Sequence, residues 1–328
     1  MTLGVVVPCY RQERFLPRTV AALDAALAGR EWRGALVLAS PGESTELPAL
    51  SERWQVVRPA VSRPLTPGAA RNAGFAACGG AWVLFVDADV EVDAAWLARA
   101  LGATVGDGLA GLWGRLEEWF VDGRGERPGS RDLYRVGDAD RDCEYLATLA
   151  LYRRDALERV GGYEPRLNSE EDFELGLRLR AAGFRLRSLA PRAARHWSGP
   201  RPSFAEIGRR WRTGLCFGQG QVLRLYLGRA GLGAHLRRQA HYFATLALWL
   251  AAPLAFALAG GRGLAAWALA PLALLAVMTL RKRSARLALH SLLTWTVNAA
   301  GLVVGFVRGG PPAPPAALAS LGKKEAAC

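Results

Sequence analysis

Lysine is nearly missing from this sequence: of its 42 basic residues only Lys282, Lys323 and Lys324 are not arginine. With its many alanines and glycines, that bias fits a GC-rich, bacterial genome and carries no mechanism. Acids are missing altogether between Glu206 and Glu325, and residues 178–240 hold 14 Arg against the single acid Glu206, within a formal charge of +13. Such a block is one footprint of nucleic-acid binding. Here it runs straight into long apolar stretches, so membrane lipids are the expected partner and nucleic acid is not. Cysteine is sparse: Cys9, Cys78, Cys143, Cys216 and Cys328 are odd in number and scattered, with no CxxC and no Cys/His ligand spacing. That excludes a disulfide framework and a zinc ribbon, and fits a reducing compartment. Cys328 is terminal rather than four from the end, which excludes prenylation. A basic leader is missing too; the first apolar run is only strand-long, so the N-terminal domain is expected to stay cytoplasmic.

The C-terminal third carries the long apolar runs. Phe243–Gly260 and Gly263–Leu280 are 18 residues each without a charge, and Leu287–Val307 is 21 residues with only His290 ionisable. All reach the roughly 17–25 residues that cross a bilayer. Gly260-Gly-Arg-Gly263 predicts a tight hairpin between the first two. The cationic clusters Arg237-Arg238 and Arg281-Lys282-Arg283 with Arg286 predict a cytoplasmic face for residues 1–240 and 281–286. The expected organisation is a domain over 1–203, basic amphipathic interface helices over 204–240, a multi-pass region over 241–308 in a plasma (inner) membrane, and a flexible tail over 309–328. Three spans would leave the tail on the far side; Lys323-Lys324 favour the opposite side, and a re-entrant third segment is the alternative. Arg interleaved with Trp211, Phe217, Leu223, Leu225, Tyr226 and Leu236 predicts helices lying in the interface plane.

The N-terminal part supplies the chemistry. The apolar run Ala81-Trp-Val-Leu-Phe-Val86 ends in Asp87-Ala88-Asp89, which reads as a buried strand carrying acid to its carboxyl edge. Ligands bind at that edge in open α/β sheets. Alternation along a strand would place Asp87 and Asp89 on one side. Two hard oxygen ligands suit Mg²⁺ or Mn²⁺, above all where a diphosphate completes the shell. The plainer reading is that the two Asp end the strand and start a turn.

The neighbourhood narrows these readings. Leu3-Gly-Val-Val-Val-Pro8-Cys9-Tyr10 forms a first strand, and Phe15–Leu23 has apolar residues at helical spacing. Pro67-Gly-Ala-Ala-Arg71-Asn72-Ala-Gly74 precedes the acidic edge. Downstream lie Tyr152-Arg-Arg-Asp-Ala-Leu-Glu-Arg-Val-Gly161-Gly162-Tyr163 and Ser169-Glu170-Glu171-Asp172-Phe-Glu174-Leu. In order, spacing and chemistry these pieces resemble the family 2 glycosyltransferases over about residues 1–200. The resemblance implies an α/β GT-A fold (Rossmann-like), inverting transfer from a nucleotide-diphosphate sugar, and a divalent metal. It places Asp172 as the base for the acceptor hydroxyl and Glu171 as its orienting neighbour. It assigns Asp89, with Asp87 and His196, to the metal. Pro8, Tyr10, Ser40, Glu43, Arg71, Asn72 and Asp87 fall to the nucleotide side, with the Arg71 guanidinium forking onto phosphate. Other readings of the same residues stay open: Ser169-x-x-Asp172 as a capping box, Asn72 as a helix cap, His196 as a structural histidine. Glu170 and Glu174 read as capping and packing residues. Residues 117–142 read as a mobile acceptor-side loop, in which Asp138, Asp140 and Asp142 are solvated.

One departure touches the donor. The second strand, Ala35-Leu-Val-Leu-Ala39, runs on into Ser40-Pro41-Gly42-Glu43 with no Asp, where the family keeps acids for the nucleobase or ribose, and Arg11 stands where Asn is common. The expected function is transfer to a lipid-linked or glycan acceptor hydroxyl at the cytoplasmic membrane face. The alternatives are a polyprenyl-phosphate glycosyltransferase and, from another class, a non-catalytic scaffold for glycolipid assembly.

Overall fold

Seven consecutive residues, Leu3–Cys9, form β1 and all are buried, as befits a strand covered on both faces. The computed structural model describes residues 2–40, 46–104, 108–123, 125–199 and 203–312. The chain divides into an α/β unit, running to Leu167 with Glu171–Pro200 and resuming at Pro311, and a helical unit of Asn168–Glu170 with Arg201–Gly310.

In the α/β unit β1 leads to α1 (Leu16–Ala26), β2 (Trp32–Leu38), β3 (Trp54–Val57), α2 (Pro67–Ala77), β4 (Trp82–Val86), β5 (Val90–Val92) and α3 (Ala94–Gly102). Then come β6 (Leu109–Asp122), β7 (Gly125–Pro128), β8 (Arg141–Asp142), β9 (Leu149–Arg153), α4 (Arg154–Val160), α5 (Glu171–Ala181) and β10 (Arg185–Ser198). The sheet order is β3-β2-β1-β4-β9-β6-β10-β5. Both neighbours of β1 are parallel to it, while β9 is antiparallel to β4 and β6. The chain winds out through β2 and β3, then returns to β4 on the other side of β1. That reversal opens a crevice beyond the carboxyl ends of β1 and β4.

Alternation along β1 feeds two apolar layers. Leu3, Val5 and Val7 meet Leu16 and Val20 of α1 and Trp96 of α3 on one face. Val6 meets Phe75 of α2, Leu157 of α4 and Leu175 of α5 on the other. Leu84 at the centre of β4 is wholly buried, and its truncation to alanine would cost about 2–5 kcal/mol. α3 starts where Asp93 Oδ1 accepts from the amides of Ala95 and Trp96 at 3.0 and 3.2 Å, an N-cap contact.

One expectation for this unit is corrected: the expected loop contains ladder, since Trp119–Asp122 pair with Gly125–Pro128. Asp138, Asp140 and Asp142 are exposed, as expected of solvated residues, and are ion-paired with Arg115, Arg99 and Arg185 respectively. β10 runs on beyond Leu189 through two register shifts to Ser198, so His196 sits inside it.

The helical unit holds α6 (Phe204–Arg212), α7 (Gly218–Tyr226), α8 (Leu232–Arg238), α9 (Ala240–Lys282) and α10 (Ala285–Arg308). α6 buries none of its residues and exposes Phe204 and Trp211. α7 buries Gly218–Val222, because glycines let its backbone approach α10. A Cβ on Gly220 would lie 2.5 Å from Phe306 N, and one on Gly301 would lie 2.7 Å from Cys216 Cβ. Gly301-Leu-Val-Val-Gly305 is a small-xxx-small face that the sequence reading passed over.

α9 is broken at Ala259 and Gly260, whose backbone is not helical. Trp267 Nε1 donates to Leu248 O at 2.7 Å and the Trp249 and Trp267 rings lie 5.4 Å apart. In a straight helix Leu248 and Trp267 would be on the order of 28 Å apart, so α9 folds back as a hairpin. α9 and α10 are long and apolar enough to cross a membrane. Pro312 O accepts from Arg63 Nη2 at 3.2 Å, a contact within the α/β unit.

Candidate active site

β4 ends at Val86, and Asp87–Asp89 form a turn rather than two more strand residues. Each backbone position of that turn is tied down. Asp87 N donates to Thr148 O at 3.0 Å, Val90 N to Asp87 O at 3.1 Å, and Trp197 N to Asp89 O at 2.8 Å. Thr19 Oγ1 donates to Ala88 O at 2.9 Å. α1, β5, β10 and Thr148 just before β9 thus fix the acidic edge together.

Asp89 is buried and faces polar partners: Gln12 Nε2 donates to its Oδ2 at 2.5 Å, and His196 Nε2 lies 3.5 Å from the same oxygen. β10 pairs His196 with Val90, the register that aims the imidazole at this turn. Asp87 and Asp89 also act on one another. Burial raises the Asp87 pKa, Arg71 pulls it back, and Asp89 pushes it up again, the pattern of a like-charge pair lacking a full counter-charge.

Arg71 joins the two acidic clusters. From α2 its Nη2 donates to Asp87 Oδ1 at 2.8 Å and its Nη1 to Glu171 Oε1 at 2.7 Å, and the guanidinium lies 5.3 Å from the Tyr163 ring centre. Burial opposes its charge, yet Asp87, Asp172 and Glu171 outweigh that and hold the proton more firmly than water would. The fork expected on phosphate is here on two carboxylates, a difference that follows from its 5% exposure. Asn72 differs likewise. Its Nδ2 donates to Tyr163 O at 2.8 Å and its Oδ1 accepts from Tyr163 N at 2.9 Å. Asn72 therefore locks the turn after Gly161-Gly162.

Glu171 and Asp172 occupy the first turn of α5; Glu171 is buried and Asp172 partly exposed. Asp172 is close enough to act on Arg71, Tyr134 and Tyr163. Ser169 Oγ donates to Leu215 O at 2.9 Å. Glu174 pairs with Arg178 one turn on, at 2.6 Å, and Glu170 lies 3.4 Å from Arg238 Nε. At the nucleotide end Pro8 is buried in β1, and Tyr10 and Ser40 are half-buried just past β1 and β2. Arg11 lies 5.3 Å from the Tyr10 ring centre. Glu43 lies outside the described residues. Gln12, Tyr134 and Thr148 escaped the sequence reading. Gln12 sits in a polar loop like many others, and the other two reach the acids only through the fold.

Residues 4–161 match the family model described as Glycosyl transferase family 2. A pre-mycofactocin glycosyltransferase of Mycobacterium tuberculosis (strain CDC 1551 / Oshkosh) is 33% identical over 135 residues, 37% of this chain and 28% of the relative. The chain thus spans under a third of the length of the curated relative it matches. Among solved structures, S. aureus TarS 1-349 in complex with UDP-GlcNAc superposes with a TM-score of 0.50 at 15% identity, covering 94% of this chain and 93% of that one, a likeness of fold. With the switch-point crevice and its acids, these matches mark the α/β unit as GT-A in fold and similar over residues 4–161 to glycosyltransferase family 2.

Proposed function

We propose that this enzyme transfers a sugar from a nucleotide-diphosphate donor to an acceptor hydroxyl with inversion, and that Asp172 is the base. The observation that carries the reading is the Arg71 bridge, which couples the donor-side Asp87 to Glu171, the neighbour of Asp172, through bonds of 2.8 and 2.7 Å. Asp172 takes the proton as the acceptor oxygen forms its bond to the anomeric carbon and the bond to the diphosphate breaks. Glu171, pinned by Arg71, fixes the start of α5 and with it the reach of Asp172. The TarS structure holds UDP-GlcNAc, which makes UDP-sugars the first donors to examine.

The donor set at the acidic edge fits a divalent cation. Asp89 and His196 already converge within 3.5 Å, and Asp87 reaches the same edge. No cluster of three His, Cys, Asp or Glu ligands occurs among the described residues, so diphosphate oxygens would complete the shell, as Mg²⁺ and Mn²⁺ sites on phosphates allow. Bound there, the cation neutralises charge on the leaving diphosphate. Arg71 cannot do this while both its terminal nitrogens hold carboxylates.

The α9 hairpin is the element we assign to the bilayer. Each arm is about 30 Å long at 1.5 Å per residue, with Arg281, Lys282 and Arg238 at the ends away from the turn, the cytoplasmic signature. The acceptor would then be lipid-linked or a membrane-proximal glycan. The test is nucleotide release from a panel of nucleotide-diphosphate sugars by the detergent-purified chain, with and without Mn²⁺, beside Asp89→Ala. Metal-dependent release from one donor, lost in the variant, supports the reading; failure of the wild-type chain to bind any donor defeats it.

A further inference from the structure

Thr148 has φ 63°, a left-handed backbone that is an outlier for a β-branched residue. Across it Leu149 N donates to Ala147 O at 2.6 Å, closing a γ-turn whose central φ is positive, the rare and strained kind. Glycine would occupy such a position without penalty. Thr148 is moreover 8% exposed, so solvent does not account for a hydroxyl there.

What Thr148 touches does account for it. Its carbonyl accepts the Asp87 amide at 3.0 Å, and its hydroxyl lies 2.5 Å from the Tyr134 hydroxyl. Tyr134 in turn lines a cavity of about 260 Å³ with Trp113, Tyr145 and Glu144. Burial raises the Tyr134 pKa, and Asp87 and Asp172 raise it further, so the phenol stays neutral beside both acids. The carbonyl contact is open to any residue that adopts this turn. The hydroxyl contact is open only to Thr or Ser. Strain held in a γ-turn at a catalytic edge is what a positioning device looks like.

We propose that Thr148 is a positioning residue for glycosyl transfer, its turn holding the Asp87 backbone and its hydroxyl holding the Tyr134 phenol at the cavity wall. This rests on the donor-side reading of Asp87. Thr148 does not touch the reacting atoms; it acts through Asp87 and Tyr134.

Backbone and hydroxyl are separable by substitution. At this φ the Thr148→Gly variant should melt above Thr148→Ala, the reverse of the order at ordinary positions. Activity should follow the hydroxyl instead. In full-length chain with the donor of the panel that wild type turns over, Thr148→Ser keeps most of the turnover. Thr148→Gly, Thr148→Ala and Thr148→Val each lose about tenfold in kcat, with donor KM within about twofold, the size of one lost hydrogen bond expressed after binding. Tyr134→Phe should lose as much, and Tyr134→Phe combined with Thr148→Val no more than either alone. A Thr148→Gly protein as active as wild type, or Ala melting above Gly, overturns the assignment. A wild-type chain that neither binds nor turns over any donor overturns the donor reading, and this assignment with it.

Discussion

Leu36, Leu84 and Leu151 of the sheet are sealed from solvent, whereas Leu250, Leu269 and Leu280 of α9 are 61%, 67% and 78% exposed. Polar groups run the other way. In the helical unit Gln219, Gln221, His235, Gln239 and Asn298 are buried, with Gln221 paired to Asn168 and His235 bonded to Gln219 O at 2.9 Å. In the α/β unit the buried Arg71, Asp89, Glu171 and His196 gather at one edge, while Glu174 and Glu118 are buried against Arg178 and Ser198. The same observation, a buried polar side chain, thus means different things in the two units. In a water-facing fold it marks chemistry, because burying charge without purpose is costly. In helices whose apolar side chains point outward it is what joins one helix to another.

That contrast assigns all the chemistry to one unit, and the largest expected effect tests it. Asp172→Asn should lower kcat by about 10²–10⁴-fold while donor binding by calorimetry stays near wild type; a variant that turns over normally would remove Asp172 from the mechanism. Next in size, Arg71→Met leaves Asp87 and Glu171 facing each other without their counter-charge, and should destabilise the α/β unit by about 3–5 kcal/mol in denaturant titration. A loss below about 1 kcal/mol would mean that the two carboxylates do not need the bridge.

The exposed leucines come third. In water Leu250→Arg or Leu269→Arg would change stability by no more than about 0.5 kcal/mol. In a bilayer each costs about 2.5–3.5 kcal/mol, so both variants should shift the chain from the membrane fraction or lower its yield there. Unchanged fractionation would dissolve the contrast between the units. Smallest is an alkaline effect in the α/β unit. Burial is the main cause that raises the Cys78 thiol to about 11, against the pull of Arg154. An unfolded thiol ionises near 8.5, so the stability this thiol contributes is full below that pH and falls as the pH rises toward 11. At pH 9 the loss is about 1 kcal/mol. Comparing wild type with Cys78→Ala at pH 7 and pH 9 should show the wild-type decline flattened in the variant.

Much of the α/β unit was legible because local signals agreed. β1, β4 and α2 each carry an unbroken pattern bounded by turn residues, and the acids at the end of β4 announce their edge. β10 was hard to read: Pro191 and two register shifts interrupt its pattern, so only the ladders with β5 and β6 place His196 within it. Arg71 and Asn72 were read toward the nucleotide, and the structure shows them bonded to Asp87 with Glu171 and to Tyr163. Sequence spacing cannot reveal that Tyr163, 92 positions after Arg71, closes over both. Thr148 gave no signal, since a left-handed threonine is invisible until the backbone is traced. In the helical unit the hairpin was announced by Gly260-Gly-Arg-Gly263, and the α7–α10 contact was present in Gly301 and Gly305 but went unread.

The break at Ala259 and Gly260 has a further consequence, one of parity. A chain that enters a sheet of lipid and turns round must emerge where it began, so an insert made of one hairpin keeps both flanks in the same compartment. Tags placed before Leu3 and after Pro312 would then answer alike to a protease added from one side of a sealed vesicle, and an odd number of passages would make them answer oppositely.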